Sequence, residues 1–152
     1  MSIMWKYLDK KAATVRVLED YGDMVFIIEN TDEQVKAEKE KMVGISSPKL
    51  DGMPKAHNPQ AGEEKIVESI EKIDLMKERY RQAVEYMRWF KPAWDKLGED
   101  EQYVLETFFR ENNYGAEAAR LVCDHFGIER NSAYKKKNRA LEHMELLLYG
   151  KE

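Results

Sequence analysis

A single cysteine, Cys123, among 152 residues removes any internal disulfide, so no such cross-link staples the fold. With no second cysteine to pair with, Cys123 reads as a small buried residue rather than a redox or metal-binding group. No window approaches the ~18 apolar residues of a membrane-crossing helix. At the N-terminus, Trp5-Lys6-Tyr7 and the charged run after it interrupt any apolar core of a leader peptide, which predicts a cytoplasmic protein. Gly-rich phosphate loops and nucleophile motifs are missing. His57, His125 and His143 are far apart and form no His-x-x-x-His pair, which predicts no metal and no cofactor. The carboxylates are numerous but fall on charged helix faces, where solvation is the ordinary role. Together these absences predict a protein that is not an enzyme.

What the chain does have is charge and helical periodicity. Its 25 Lys and Arg against 29 Asp and Glu leave a formal net charge of −4, which argues against a nonspecific nucleic-acid coat. Overall charge is a poor guide, however, when one face is locally basic. Arg130, Lys135, Lys136, Lys137 and Arg139 all fall within ten positions. The length suits one or two small domains with a modest core.

Strand-like alternation is nearly absent. From Tyr21 the positions Tyr21, Val25, Ile28, Val35 and Met42 keep four-three spacing, with Asp32 and Lys39 as polar members of the seam. Thr31 with Gln34 suggests a capping box that starts a fresh helix, and the stretch from Trp5 to Asp20 reads as a separate first helix. Residues 1–43 are thus expected to form N-terminal amphipathic helices. Residues 44–62 hold three prolines and three glycines and read as a flexible loop, in which Leu50 and Met53 could pin the chain locally. A long helix is expected over 63–91, with Ile66, Ile70, Ile73, Tyr80, Val84 and Met87 on its seam, Lys77 as the polar member and Pro92 as its end. Two such stripes predict an antiparallel hairpin or an intermolecular coiled coil, and hence a homo-oligomer through the N-terminal helices as one outcome. Trp89, Phe90 and Trp94 form an aromatic cluster expected to join this region to the next.

Gly98 followed by Glu99-Asp100-Glu101 marks a helix start with acids at the positive end of its dipole. Tyr103, Val104, Phe108 and Phe109 give that helix an apolar face, expected to pack with Leu97 and Trp94 beneath the elements that follow. From Gly115 a small-residue helix leads to Gly127 and Ile128, and a basic helix begins near Arg130. A small residue at the helix contact (Cys123), a glycine at the left-handed turn position and an apolar anchor after it are the requirements of a helix-turn-helix. On the second helix, Ala133, Ala140, Leu141, Met144, Leu147 and Leu148 share one side. The opposite side is donor-rich, as phosphate and base edges require. Arg130, Asn131, Ser132, Tyr134, Lys135, Lys136, Asn138 and Arg139 are the candidate residues for binding double-stranded DNA. Lys135 and Arg139 suit phosphate or guanine, and Asn131 and Asn138 an adenine edge. Glu142 on the same face would repel phosphate and confines insertion to the first turns. Lys137 falls on the core side, with its ammonium expected to snorkel outward. The expected fold is therefore all-α, an N-terminal helical hairpin or coiled-coil-like region followed by a helix-turn-helix domain over 97–150.

The segment from about Leu97 to Met144 resembles region four of bacterial sigma factors. Glu101-Gln102-Tyr103-Val104-Leu105-Glu106 is similar to its first helix, and Val122-Cys123 through Gly127-Ile128 to its first helix-turn-helix element. Arg130 through Leu141 is similar to its reading helix, including the closing Arg139-Ala140-Leu141. Over most of its length the chain resembles phage and prophage transcriptional regulators of the ArpU type, in the Ser47-Pro48 and Gly52-Met53-Pro54 loop and in the run from Ile128 to Tyr134. The resemblance implies a DNA-binding regulator of late or packaging genes that could also touch RNA polymerase. Lys137 stands where sigma factors place an aliphatic residue and Tyr134 where many have a basic one, so sequence preference does not carry over. No promoter-melting region precedes the domain, which sets the chain apart from a complete sigma factor. The alternative reading is a DNA-packaging component of the small-terminase kind, or an assembly component, that uses a helix-turn-helix; ring-forming oligomers would mark it. A third is a protein-binding module that has kept the scaffold and has no DNA affinity.

Overall fold

The computed structural model describes residues 3–46, 59–111 and 115–151. Among these the fold is all-α, with no strand. After a short 3-10 helix, Ile3–Tyr7, come α1 (Lys10–Ser46), α2 (Pro59–Lys96), α3 (Glu99–Leu105), a π-helical turn (Glu106–Arg110), α4 (Gly115–Phe126) and α5 (Arg130–Tyr149). The chain divides into two compact units: residues up to 24 with residues from 86 onward, and Val25–Glu85. Both long helices contribute to both units.

Asp9 starts α1, its Oδ1 accepting the Ala12 N–H at 3.1 Å, as an N-cap carboxylate does. The helix then runs without the breaks expected at Asp20 and Thr31. Thr31 does not cap a new helix, because its hydroxyl donates back to the Ile27 carbonyl one turn earlier, a bond compatible with a continuing helix. Pro92 likewise does not end α2, which continues to Lys96. An interior proline costs ~3 kcal/mol. Burial of Ala93, Trp94 and Leu97 just beyond it offsets that loss. Pro59 opens α2 at the first helical position, where its missing N–H goes unneeded. The expected 44–62 loop therefore narrows at both ends, while Ser47-Pro48, Leu50, Gly52-Met53-Pro54 and His57 lie outside the described residues.

In the Val25–Glu85 unit the two helices run antiparallel, Glu38 meeting Ser69 and Thr31 sharing a groove with Tyr80. The expected apolar members of the α1 seam, Val25, Ile28, Val35 and Met42, are half-buried, but its polar members are displaced by one position. Thr31 and Glu38 are buried where Asp32 and Lys39 were expected. On α2, Ser69, Ile73 and Ala83 are buried and Ile66, Met76, Tyr80 and Val84 half-buried, whereas Ile70 is exposed. Buried Glu38 accepts the Ser69 hydroxyl at 2.8 Å, and that hydrogen bond is the main reason its carboxyl is held below the usual carboxylate range.

The other unit is built around Phe90, which is fully buried. Its ring stacks between Tyr86 at 5.3 Å and Trp94 at 5.7 Å, with Tyr21 tilted against it at 5.2 Å. Leu18 from α1, Leu105 from α3, and Leu141, Met144 and Leu148 from α5 complete this core. Arg110 lies 3.7 Å above the Tyr21 ring and bonds Glu106 at 3.0 Å. The Tyr86 hydroxyl donates to the Val17 carbonyl, and burial pushes its pKa well above the ordinary tyrosine range. The first residues of α1 and the last of α2 thus belong to the same compact unit as α3 to α5, which begins upstream of the boundary at 97 expected from Gly98. Trp89 departs from the expected buried cluster: it is 40% exposed, with Nε1 donating to the Leu148 carbonyl at 3.3 Å.

Candidate nucleic-acid interface

A second small core, Val104, Val122 and Ala133 with Tyr103, Phe108, Cys123, Phe126 and Ile128 against it, sets α4 on α5. Ala118, Ala119 and Val122 form the buried stripe of α4, where small side chains permit a close helix contact. Cys123 is half-buried at the edge of this cluster. Gly127 has φ +64°, and the Ile128 N–H returns to the Cys123 carbonyl at 3.1 Å. This is a Schellman closure, in which a left-handed glycine lets the chain leave α4 with its carbonyls satisfied. Ile128 then anchors the turn, and α5 starts three residues after Gly127.

Residues of α5 are sorted by their period. Ala133, Ala140, Leu141, Met144 and Leu148 are buried, and Leu147 is half-buried, the face expected. Glu101 fixes the helix in place: its Oε1 accepts the Gly98 N–H at 3.1 Å and its Oε2 lies 2.7 Å from His143 Nδ1. One carboxylate thereby caps α3 and ties it to α5, a role that neither residue's sequence context disclosed. Gln102 adds a bond from Nε2 to the Trp94 carbonyl at 2.9 Å.

Arg130, Asn131, Lys135, Asn138, Arg139 and Glu142 are exposed, and Ser132, Tyr134, Lys136 and Lys137 are half-buried. Asn131, Lys135, Asn138 and Glu142 recur at four-three-four spacing, a single stripe of the helix. From Asn131 to Asn138 the stripe spans about 10 Å, comparable with the ~12 Å width of a B-DNA major groove. The side chains of Asn131, Ser132, Lys135, Asn138 and Arg139 make no hydrogen bond or ion pair among the described residues. On α4, by contrast, Arg120 is neutralised by Glu117 at 3.5 Å and Asp124 at 3.4 Å.

Three cations are held against rings instead. Lys136 lies 4.7 Å from the Phe126 centroid, Lys137 5.4 Å from Phe108 and 5.3 Å from Tyr134, and Arg130 5.8 Å from Tyr134. The Lys137 stem packs while its ammonium stays over ring faces, a cation–π arrangement. Lys136 and Arg139 also line a cavity of ≈ 240 Å³ with Asp100, Glu101, Val104 and Ala140, so carboxylates temper the basic field along this flank. Among the described residues no group of three or more His, Cys, Asp or Glu side chains is placed to hold a metal. His125 stacks on Tyr103 at 3.9 Å. No described helix is long and apolar enough to cross a membrane.

No protein-family model, curated protein or solved structure matches this chain.

Proposed function

We propose that the chain is a non-enzymatic, sequence-specific DNA-binding regulator of transcription, of the kind used by phages and prophages, acting in the cytoplasm where its target DNA lies. The single observation that carries this reading is the uncommitted stripe of α5. Asn131, Lys135 and Asn138, with Ser132 and Arg139 beside them, present donors with no partner among the described residues, on a helix joined to α4 by a left-handed glycine turn. As a helix-turn-helix, α5 would enter the major groove by its first turns, and Glu142 would limit how deeply it lies. Lys135 and Arg139 would meet phosphate or guanine and Asn131 and Asn138 an adenine edge. Arg130, Lys136 and Tyr134, engaged with one another or with Phe126, would flank the groove and position the helix. Contact with RNA polymerase and self-association through α1 and α2 are further parts of the proposal, carried by the resemblance and by the helical seams respectively.

Selection of bound fragments from a random duplex pool tests it. The full chain should enrich a defined site, and Lys135→Glu should abolish enrichment while unfolding at the same temperature. A chain that enriches nothing, or one that enriches the same site with Lys135→Glu in place, would contradict the reading.

A further inference from the structure

Within the Val25–Glu85 unit, α1 and α2 enclose a groove of ≈ 400 Å³ whose walls include Asp32, Lys36 and Lys39 from α1 and Lys77 and Tyr80 from α2. Small-molecule sites begin at about 300 Å³, so this concavity is of ligand size. Its charge is mostly of one sign, three lysines beside Asp32. Two nearby cations are paired: Arg81 binds Glu78 at 2.7 Å and Glu85 at 3.0 Å, and Lys41 lies 3.5 Å from Glu38. Lys36, Lys39 and Lys77 have no ion pair or hydrogen bond among the described residues, although Asp32 and Glu40 stand one turn to either side of Lys36. A lysine row on a convex helix face is ordinarily just solvated. Three ammonium groups with no ion pair among the described residues, set around a concave wall beside Asp32, instead focus a positive potential into it, in a protein whose net charge is −4.

We propose that this groove binds a small phosphorylated ligand of the nucleotide class. Lysine serves phosphate as a point charge, and Lys36, Lys39 and Lys77 line the groove from both helices. Tyr80 is half-buried beside Val35 and offers a ring face and an aliphatic wall to a planar base. Asp32, the one carboxylate among the described residues that line the groove, is suited to accept from a sugar hydroxyl. A DNA backbone carries the same phosphate chemistry, but the bases of a duplex are stacked inside a rod and cannot reach a half-buried tyrosine, so the free nucleotide is favoured. The site is built from the Val25–Glu85 unit alone, whereas α5 belongs to the other unit, and it does not depend on the function proposed for that helix.

Calorimetric titration of the full chain with adenosine diphosphate and, separately, with inorganic pyrophosphate tests the assignment. The diphosphate nucleotide should bind saturably, one per chain, and more tightly than pyrophosphate. Lys39→Ala or Lys77→Ala should each weaken it about tenfold, the scale of one charge-assisted contact. Lys65→Ala, exposed on α2 outside the groove, should leave it unchanged, with circular dichroism confirming equal helicity in all variants. Absence of binding at millimolar nucleotide, equal affinity for pyrophosphate, or an equal loss in Lys65→Ala would overturn the proposal. In a Lys135→Glu background duplex DNA should not displace the nucleotide; displacement there would assign the groove to DNA instead.

Discussion

Leu18 provides a direct test of whether the start of α1 belongs to the unit that carries α5. Its side chain is fully buried, in one core with Phe90, Trp94, Leu105, Leu141 and Met144. Leu18→Ala removes buried methyl groups and leaves a cavity that rigid helices only partly close, at a cost of ~2–5 kcal/mol. Against a total stability of about 5–15 kcal/mol, that is a large fraction. At about 2–4 °C per kcal/mol for a chain of this size, the melting temperature should fall by roughly 5–20 °C. Phe26→Ala on the same helix is the control, because Phe26 is 58% exposed and a surface change ordinarily stays within about 0.5 kcal/mol. Thermal unfolding followed by circular dichroism compares the two. A fragment beginning at Lys96 lacks Leu18, Phe90, Ala93 and Trp94 together and should not unfold cooperatively. The reasoning is refuted if Leu18→Ala melts with Phe26→Ala, or if the fragment melts cooperatively at the temperature of the full chain.

Gly127→Ala should cost about 1–2 kcal/mol in denaturant titrations, because φ is +64° and an L-residue is strained there; no neighbouring atom lies within 4 Å of the added carbon, so a larger loss would point to a different cause. Cys123→Ala should preserve folding under reducing and oxidising conditions, whereas Cys123→Leu should overpack the α4–α5 contact by ~1–3 kcal/mol in the same titration. Glu38 has a folded pKa below its unfolded value, so its contribution to stability is present above the unfolded pKa and is lost as pH falls through the folded one. Ser69→Ala should therefore flatten the acid limb of a stability-against-pH curve, and an unchanged limb would contradict the assignment of Ser69 as the main cause.

Features governed by one residue's backbone or by an uninterrupted period were legible in the sequence. Gly127 had to be left-handed for the chain to turn there, and the apolar positions of α5 from Ala133 to Leu148 keep one face. Local stop signals misled where packing overrode them. Thr31 carries a capping signature and Pro92 a helix-ending one, yet a back-bonded hydroxyl and the burial of Trp94 keep both helices continuous. Hydrophobicity misplaced one member of the α2 seam, because Ile70 is more apolar than Ser69 while the smaller residue is buried and satisfies Glu38. At the candidate interface the donor-rich residues were legible as a stripe. Their surroundings were not, because Asp100 and Glu101 reach the flank of Arg139 only through the packing of α3 on α5, and Lys136 and Lys137 find their rings on α4 and in the turn after α3.

The central claim is that the outward face of α5 meets DNA, and affinity measured across salt for Arg139→Ala, Arg139→Glu, Asn131→Ala and the unchanged chain tests it most directly. Duplexes carrying the selected site and its scrambled counterpart supply the comparison. Arg139→Glu should abolish specific binding with the melting temperature unchanged. Arg139→Ala should weaken both duplexes alike and reduce the salt slope by about one, the mark of a phosphate contact. Asn131→Ala should instead cost ~1–3 kcal/mol on the selected site alone and relax preference at one base pair. Affinities and salt slopes identical to those of the unchanged chain in all three variants would contradict the account.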